Sequence, residues 1–98
     1  MKSEIQLSTS DVPVISTVAS SATNVVLFAA RKGRKQVIIQ NTSSAILYVS
    51  LGTTAATATT GHSIQMAANT YIVLDRYSGA ATGIWASANG QANITEFL

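Results

Sequence analysis

Residues 36–51 read QVIIQNTSSAILYVSL. Two apolar runs rich in β-branched residues, QVIIQ and AILYVSL, flank the small polar cluster Asn41-Thr42-Ser43-Ser44. Neither run repeats with the 3.6-residue period of a helix. Both have the length and residue types of strands bounded by turn formers. Residues 36–40 and 45–51 are therefore expected to be strands, paired as a hairpin across the polar turn.

The same grammar extends in both directions. Residues 12–18 form a candidate strand that starts beside Pro13, the only proline. Proline has no N–H to give to a ladder, so this strand is expected to lie at a sheet edge or to begin at that point. Residues 24–30 (NVVLFAA) make the next strand. Further on, residues 62–66 and 70–74 are expected to form a second hairpin through Ala67-Ala68-Asn69. Residues 82–87 and 91–97 are joined through Ala88-Asn89-Gly90, where Asn-Gly predicts a type I′ turn with positive φ at both positions. Residues 52–61 (GTTAATATTG) are expected to form a loop that is exposed or lies against a neighbour. In the last strand Ala92, Ile94 and Glu96 share one face, and Gln91, Asn93, Thr95 and Phe97 the other.

About eight short strands at spacings of roughly 8–12 residues are the signature of an all-β sandwich or barrel. The expected fold is a single-domain antiparallel β-sandwich, jelly-roll-like or barrel-like. Residues 1–10 (MKSEIQLSTS) form a short polar N-terminal arm and residues 11–98 the sandwich domain.

Composition narrows the function. The 98 residues include 47% hydrophobic and only 10% charged side chains, against about 25% charged in an average soluble domain. So few surface charges protect poorly against association, and much of the surface is expected to be covered by further copies or by a larger assembly. The absence of cysteine excludes disulfides and thiolate metal sites. One histidine and four carboxylates make a metal centre unexpected, and no cofactor is expected. The N-terminus lacks the apolar segment of an export signal, and no apolar run approaches the ~18 residues of a spanning helix.

No catalytic residue is assigned. His62 is the only general base with an ordinary titration near neutrality, yet no G-x-S-x-G elbow or phosphate-binding glycine loop accompanies it. Glu4, Asp11, Asp75 and Glu96 are scattered along the chain.

Charge is concentrated in one place. The segment RKGRK, residues 31–35, holds four of the six basic residues. Gly33 at its centre marks a β-turn. Nucleic-acid binding would draw on phosphate neutralisation and on aromatics for stacking, but no aromatic is interleaved here, so nucleic acid is not an expected partner; without a spanning apolar run, neither is a membrane. Two readings of Arg31, Lys32, Arg34 and Lys35 stay open: a solvated turn that adds solubility and blunts a strand end, and, as the functional reading, a contact for an acidic protein surface. Among the aromatics, Trp85 sits between Ile84 and Ala86, which favours core packing, with a buried interface anchor as the other reading. Tyr48 joins it as a candidate contact residue.

Residues 35–52 (KQVIIQNTSSAILYVSLG) and 81–95 (ATGIWASANGQANIT) resemble small structural proteins of tailed bacteriophages. In those proteins a basic turn leads into an apolar strand, a Ser/Thr turn and an LYVSLG-like strand, and the chain closes on a GIWxSANG segment. The resemblance covers residues 31–97. It implies a non-enzymatic virion protein, made in the host cytoplasm and assembled on the capsid surface, as head decoration or cement proteins are. Its implied partners are the major capsid protein and copies of itself, as a homotrimer, with the N-terminal arm reaching a neighbour. A tail, fibre or head-spike component and a receptor- or glycan-binding module are the alternative expectations.

Overall fold

A computed structural model describes residues 12–57 and 61–98. The proposed arm, residues 1–10, lies outside the described residues. Eight strands run in chain order: β1 (Pro13–Ala19), β2 (Val25–Phe28), β3 (Gln36–Asn41), β4 (Leu47–Leu51), β5 (Ile64–Met66), β6 (Thr70–Asp75), β7 (Ala81–Trp85) and β8 (Gln91–Phe97). No helix occurs among the described residues.

The strands make two four-stranded antiparallel sheets, ordered β1-β8-β3-β6 and β2-β7-β4-β5. β1 pairs with β8, β2 with β7, β3 with β6 and β4 with β5. The chain is thus one long hairpin, closed at β4–β5 and folded over so that successive strands alternate between sheets. Lateral pairing of β3 with β8 and of β4 with β7 locks the roll. This is the jelly-roll form of the β-sandwich.

Alternation along each strand decides which side chains meet between the sheets. Val37 and Ile39 from β3 face inward with Ile94 and Ala92 from β8. Leu47 and Val49 from β4 face them, with Trp85 from β7 and Met66 from β5. Trp85, Ile39, Leu47, Met66, Ile94, Val37 and Val49 are all fully buried. Burying each such side chain stabilises the fold by about 1.5–3 kcal/mol. Gly83, opposite Val49, is the one inward position without a side chain; a methyl there would sit 3.0–3.2 Å from Leu47 and Leu27.

Each expected strand is present, but the expected hairpins are not. β3 and β4 lie in different sheets, as do β5 and β6, and β7 and β8. The connections at residues 42–46, 67–69 and 86–90 cross between sheets instead of folding a strand onto its predecessor. Only β4 and β5 are consecutive partners. Neither Asn89 nor Gly90 has positive φ, so the Asn-Gly pair does not form the predicted type I′ turn. Gly90 serves another need: its Cα faces Ser43, where a Cβ would fall 2.6 Å from the Ser43 Cα. Two crossover loops touch there, and only glycine permits it.

The loop after β4 has the expected exposure at Thr53, Thr54, Ala55 and Thr57. In its described part, residues 52–57, it folds back over its own sheet. Thr82 donates its hydroxyl to Thr54 O at 3.0 Å, and Ala56 N–H donates to Asn24 Oδ1 at 2.8 Å. Ala56 is consequently buried. Pro13 begins β1, which is an edge strand as its missing N–H requires.

Candidate functional site

The roll brings the connections β2–β3, β4–β5 and β6–β7 to one end, where β1 also begins and β8 finishes. Every charged side chain among the described residues lies at this end: Arg31, Lys32, Arg34, Lys35, Asp75, Arg76 and Glu96. The opposite end is built from residues 20–24 (SSATN), 42–46 (TSSAI), 67–69 (AAN) and 86–90 (ASANG), and carries no charge. Among the described residues, charge is confined to one end.

Arg31 to Arg34 form a β-turn closed by Arg34 N–H donating to Arg31 O at 3.2 Å. Lys32 and Gly33 are its central residues, and Gly33 has φ 83°, which a type II turn demands at its third position. This turn sends one of the four basic residues inward and leaves three outside. Arg34 points inward and is only 3% exposed, whereas Arg31, Lys32 and Lys35 are exposed.

Arg34 organises the whole end. Its Nε donates to Glu96 Oε1 at 2.8 Å, and its Nη1 donates to Tyr77 O at 2.8 Å and Gly79 O at 3.0 Å. Its Nη2 donates to Ala29 O. The guanidinium carbon lies 4.7 Å from the centroid of the Phe28 ring, a cation–π distance. One side chain thereby ties the loop at residues 29–35, the loop at residues 76–80 and β8. Buried charge is tolerated only when paired and hydrogen-bonded, and this pair meets both conditions.

The loop at residues 76–80 is shaped to receive it. Arg76 has φ 61°, and its N–H donates to Lys35 O at 2.7 Å. The Tyr77 hydroxyl donates to Ala80 O at 2.7 Å, and its ring meets Phe28 edge-on at 6.3 Å. Gly79 is packed so closely under Tyr77 that a Cβ would lie 2.5 Å from the phenolic oxygen. Arg31 N–H donates to Ser78 O at 2.9 Å, completing the lacing of the two loops.

The charge balance follows. Arg34 and Glu96 neutralise each other inside. Arg31 Nε stands 3.5 Å from the same Glu96 oxygen but is 47% exposed at its side chain, a pairing worth little. Lys32, Lys35 and Arg76 are exposed and make no ion pair with another described residue. Asp75, beside Arg76, is the only other described carboxylate. The end is a rigid platform with excess positive charge.

The structure separates the six candidate contact residues. Arg31, Lys32 and Lys35 are displayed on the platform; Arg34 is its buried support and cannot reach a partner. Trp85 is 1% exposed, so it is a core residue and offers no stacking surface. Its Nε1–H donates to Asn41 Oδ1 at 3.2 Å. Tyr48 is half-buried on the outer face of the sheet that also carries Trp85, with its ring 4.9 Å from that of His62. The His62 ring contacts Thr57 O through Nδ1 at 3.0 Å, and no nucleophile or carboxylate joins it among these contacts. Among the described residues, no group of three His, Asp or Glu side chains could hold a metal ion.

Three residues of structural weight escaped the sequence reading. Glu96 carried a signal, being an acid on the face it shares with Ala92 and Ile94. Arg76 joins the basic set only through the approach of two loops distant in sequence. Asn41 is fully buried and donates Nδ2 to Ala45 O at 2.9 Å and Ala67 O at 3.2 Å. Its Oδ1 accepts from Ser43 N–H, the Ser43 hydroxyl and Trp85. It braces the uncharged end as Arg34 braces the charged one.

Comparison of the chain with protein-family models, with curated proteins and with solved structures finds no match in any of the three.

Proposed function

We propose that this chain is a virion structural protein of a tailed bacteriophage that seats its basic end on an acidic surface of the outer capsid shell and stabilises the shell by non-covalent contact. The observation that carries this reading is the one-ended charge: Arg31, Lys32, Lys35 and Arg76 stand exposed on a platform fixed by buried Arg34, and the rest of the described surface is neutral. The resemblance of residues 35–52 and 81–95 to phage structural proteins supports the setting. Jelly rolls serve capsid and lectin domains alike, so the fold accommodates the role without selecting it. Binding that favours the assembled shell raises its stability by mass action. Exposed cations at such a contact chiefly set association rate and salt dependence. The protein acts by contact, with no reaction and no cofactor.

The test is binding of the full chain to purified heads of the phage that encodes it, across a salt series. Reversal of Lys32, Lys35 and Arg76 to Glu is expected to abolish binding at low salt, and the wild-type affinity is expected to fall as salt rises. Unchanged binding by the triple variant at every salt concentration overturns the reading. So does electron microscopy of the virion that places the chain away from the shell.

A further inference from the structure

Among the described residues, the edges of the sheets are β1 and β6 in one and β2 and β5 in the other. Soluble proteins blunt such edges by shortness, charge, proline or bulges, because unpaired N–H and C=O groups template another strand. β5 has three residues, and β2 has four with a register shift between Val26 and Phe28. β6 ends in Asp75, followed by Arg76. β1 carries one such device, Pro13 at its first residue, and none from Val14 to Ala19. Its seven residues, PVISTVA, are uncharged and pair with β8 in unbroken register. Ile15 is 72% exposed in the middle of it.

The hydrogen-bond parity of β1 is fixed by its two ends. Leu98 N–H donates to Val12 O, and Ser20 N–H donates to Gly90 O. Even-numbered residues therefore face β8 with their backbone groups. Pro13, Ile15, Thr17 and Ala19 turn theirs toward the open edge. Proline at position 13 fits this parity, since its nitrogen points away from the ladder.

We propose that this edge pairs antiparallel with β1 of a second copy, about a two-fold axis beside Ser16, so that the two sheets become one. A two-fold contact needs a surface complementary to itself, and the parity supplies it. Ile15 then lies opposite Thr17 of the second copy and exchanges both backbone bonds with it, while Val14 lies opposite Val18. These are β-branched cross-strand pairs of a favourable kind. Charge also selects the second copy and the antiparallel sense. β1 runs from the basic end to the neutral end, so antiparallel pairing sets each basic end beside the other copy's neutral end. Parallel pairing would bring like charges together. The product is a dimer, not the trimer that the resemblance implies, with basic ends pointing in opposite directions. The inference rests on β1 alone and stands or falls separately from docking on a capsid.

The chain has no cysteine, which makes a crosslinking test clean. Ser16 would face Ser16 of the second copy as a non-hydrogen-bonded pair, with Cα atoms about 4.5 Å apart, within disulfide reach. Under mild oxidation the full-chain Ser16→Cys variant is expected to form a covalent dimer at least tenfold faster than Ser87→Cys, placed on the exposed neutral end. Light scattering of the wild type over a concentration series is expected to give a dimer mass. Thr17→Pro, which removes an N–H directed away from the β8 ladder, is expected to leave a folded monomer. A wild-type monomer at all concentrations overturns the proposal, as does a trimer mass or equal crosslinking of the two cysteine variants. Slow amide exchange at Ile15 and Thr17 in a monomer would assign the edge to another segment of the same chain and overturn it equally.

Discussion

Arg34 Nε and Glu96 Oε1 stand 2.8 Å apart inside the sandwich, although 62 residues separate them in the chain. Glu96 lies on the inward face of β8, opposite Val37 of β3, where an apolar residue would ordinarily be placed. Arg34 reaches it from the loop before β3 and uses its remaining donors on three loop carbonyls. The pair converts two loops into a platform, and the charges available for recognition are those it leaves outside.

Removing one member of this pair strands the other. Glu96→Ala leaves a buried guanidinium without its counter-ion, and the loss is expected to be about 3–5 kcal/mol. The double variant Arg34→Met with Glu96→Leu restores apolar packing at the pair and is expected to recover part of that loss. The recovery stays incomplete because the carbonyls of Ala29, Tyr77 and Gly79 lose their donor. Urea denaturation of the three variants measures this. A loss below about 1 kcal/mol for Glu96→Ala would show that the pair is not what fixes the platform.

The exposed cations should behave in the opposite way. Lys32→Glu and Lys35→Glu touch no described ion pair and no core contact, so each is expected to change stability by less than about 0.5 kcal/mol. Their effect belongs to association with an acidic surface, seen as a lower on-rate at low salt that converges with wild type as salt screens the contact. Thermal melts beside stopped-flow binding separate the two roles. A melt shifted as far as that of Glu96→Ala would place these lysines in the fold rather than on its surface.

At the neutral end Asn41 offers a second discriminating site. Asn41→Leu is close in volume but leaves Trp85 Nε1–H and Ser43 N–H to find new partners, while the Ser43 hydroxyl keeps its bond to Ala45 O. Each buried group left unpaired costs about 1–3 kcal/mol, so the substitution is expected to be among the most damaging at this end. Trp85 is the only tryptophan and is 1% exposed, which makes its fluorescence a local reporter. The Asn41→Leu variant is expected to show a red-shifted emission under conditions where wild type remains folded. An unshifted spectrum with wild-type stability would remove Asn41 from its bracing role.

Local chemistry was legible in the sequence, and long-range pairing was not. All eight strands follow from alternation and turn residues, and Pro13 marks an edge strand because its missing N–H admits few other places. The hairpins failed because a polar turn such as residues 41–44 reports that the chain reverses, not whether it returns to the same sheet. In a roll closed only at β4–β5, most reversals are crossovers. The basic segment at residues 31–35 was visible as a charge cluster with Gly33 at its turn. Its division into Arg34 within and Arg31, Lys32 and Lys35 without was not visible, since it depends on Glu96 arriving from the far end of the chain. Arg76 joins the platform for the same reason, through a contact no local pattern encodes.

Two glycines give a final test, because they are required for different reasons. Gly33 has φ 83° and open space around it. Asparagine tolerates that left-handed conformation, so Gly33→Asn is expected to cost only a few tenths of a kcal/mol relative to Gly33→Val, which does not. Gly90 has no positive φ, but a Cβ there meets Ser43 Cα at 2.6 Å and Ser43 Cβ at 2.7 Å. Every side chain is therefore excluded, and Gly90→Asn and Gly90→Ala should each cost about 1–3 kcal/mol as the two crossover loops are forced apart. For a domain of this size that is a fall in Tm of roughly 4–8 °C per kcal/mol. Thermal melts of Gly33→Asn and Gly90→Asn distinguish the causes. If Gly90→Asn melted with wild type, the close approach of the loops at Gly90 and Ser43 would not be what demands glycine.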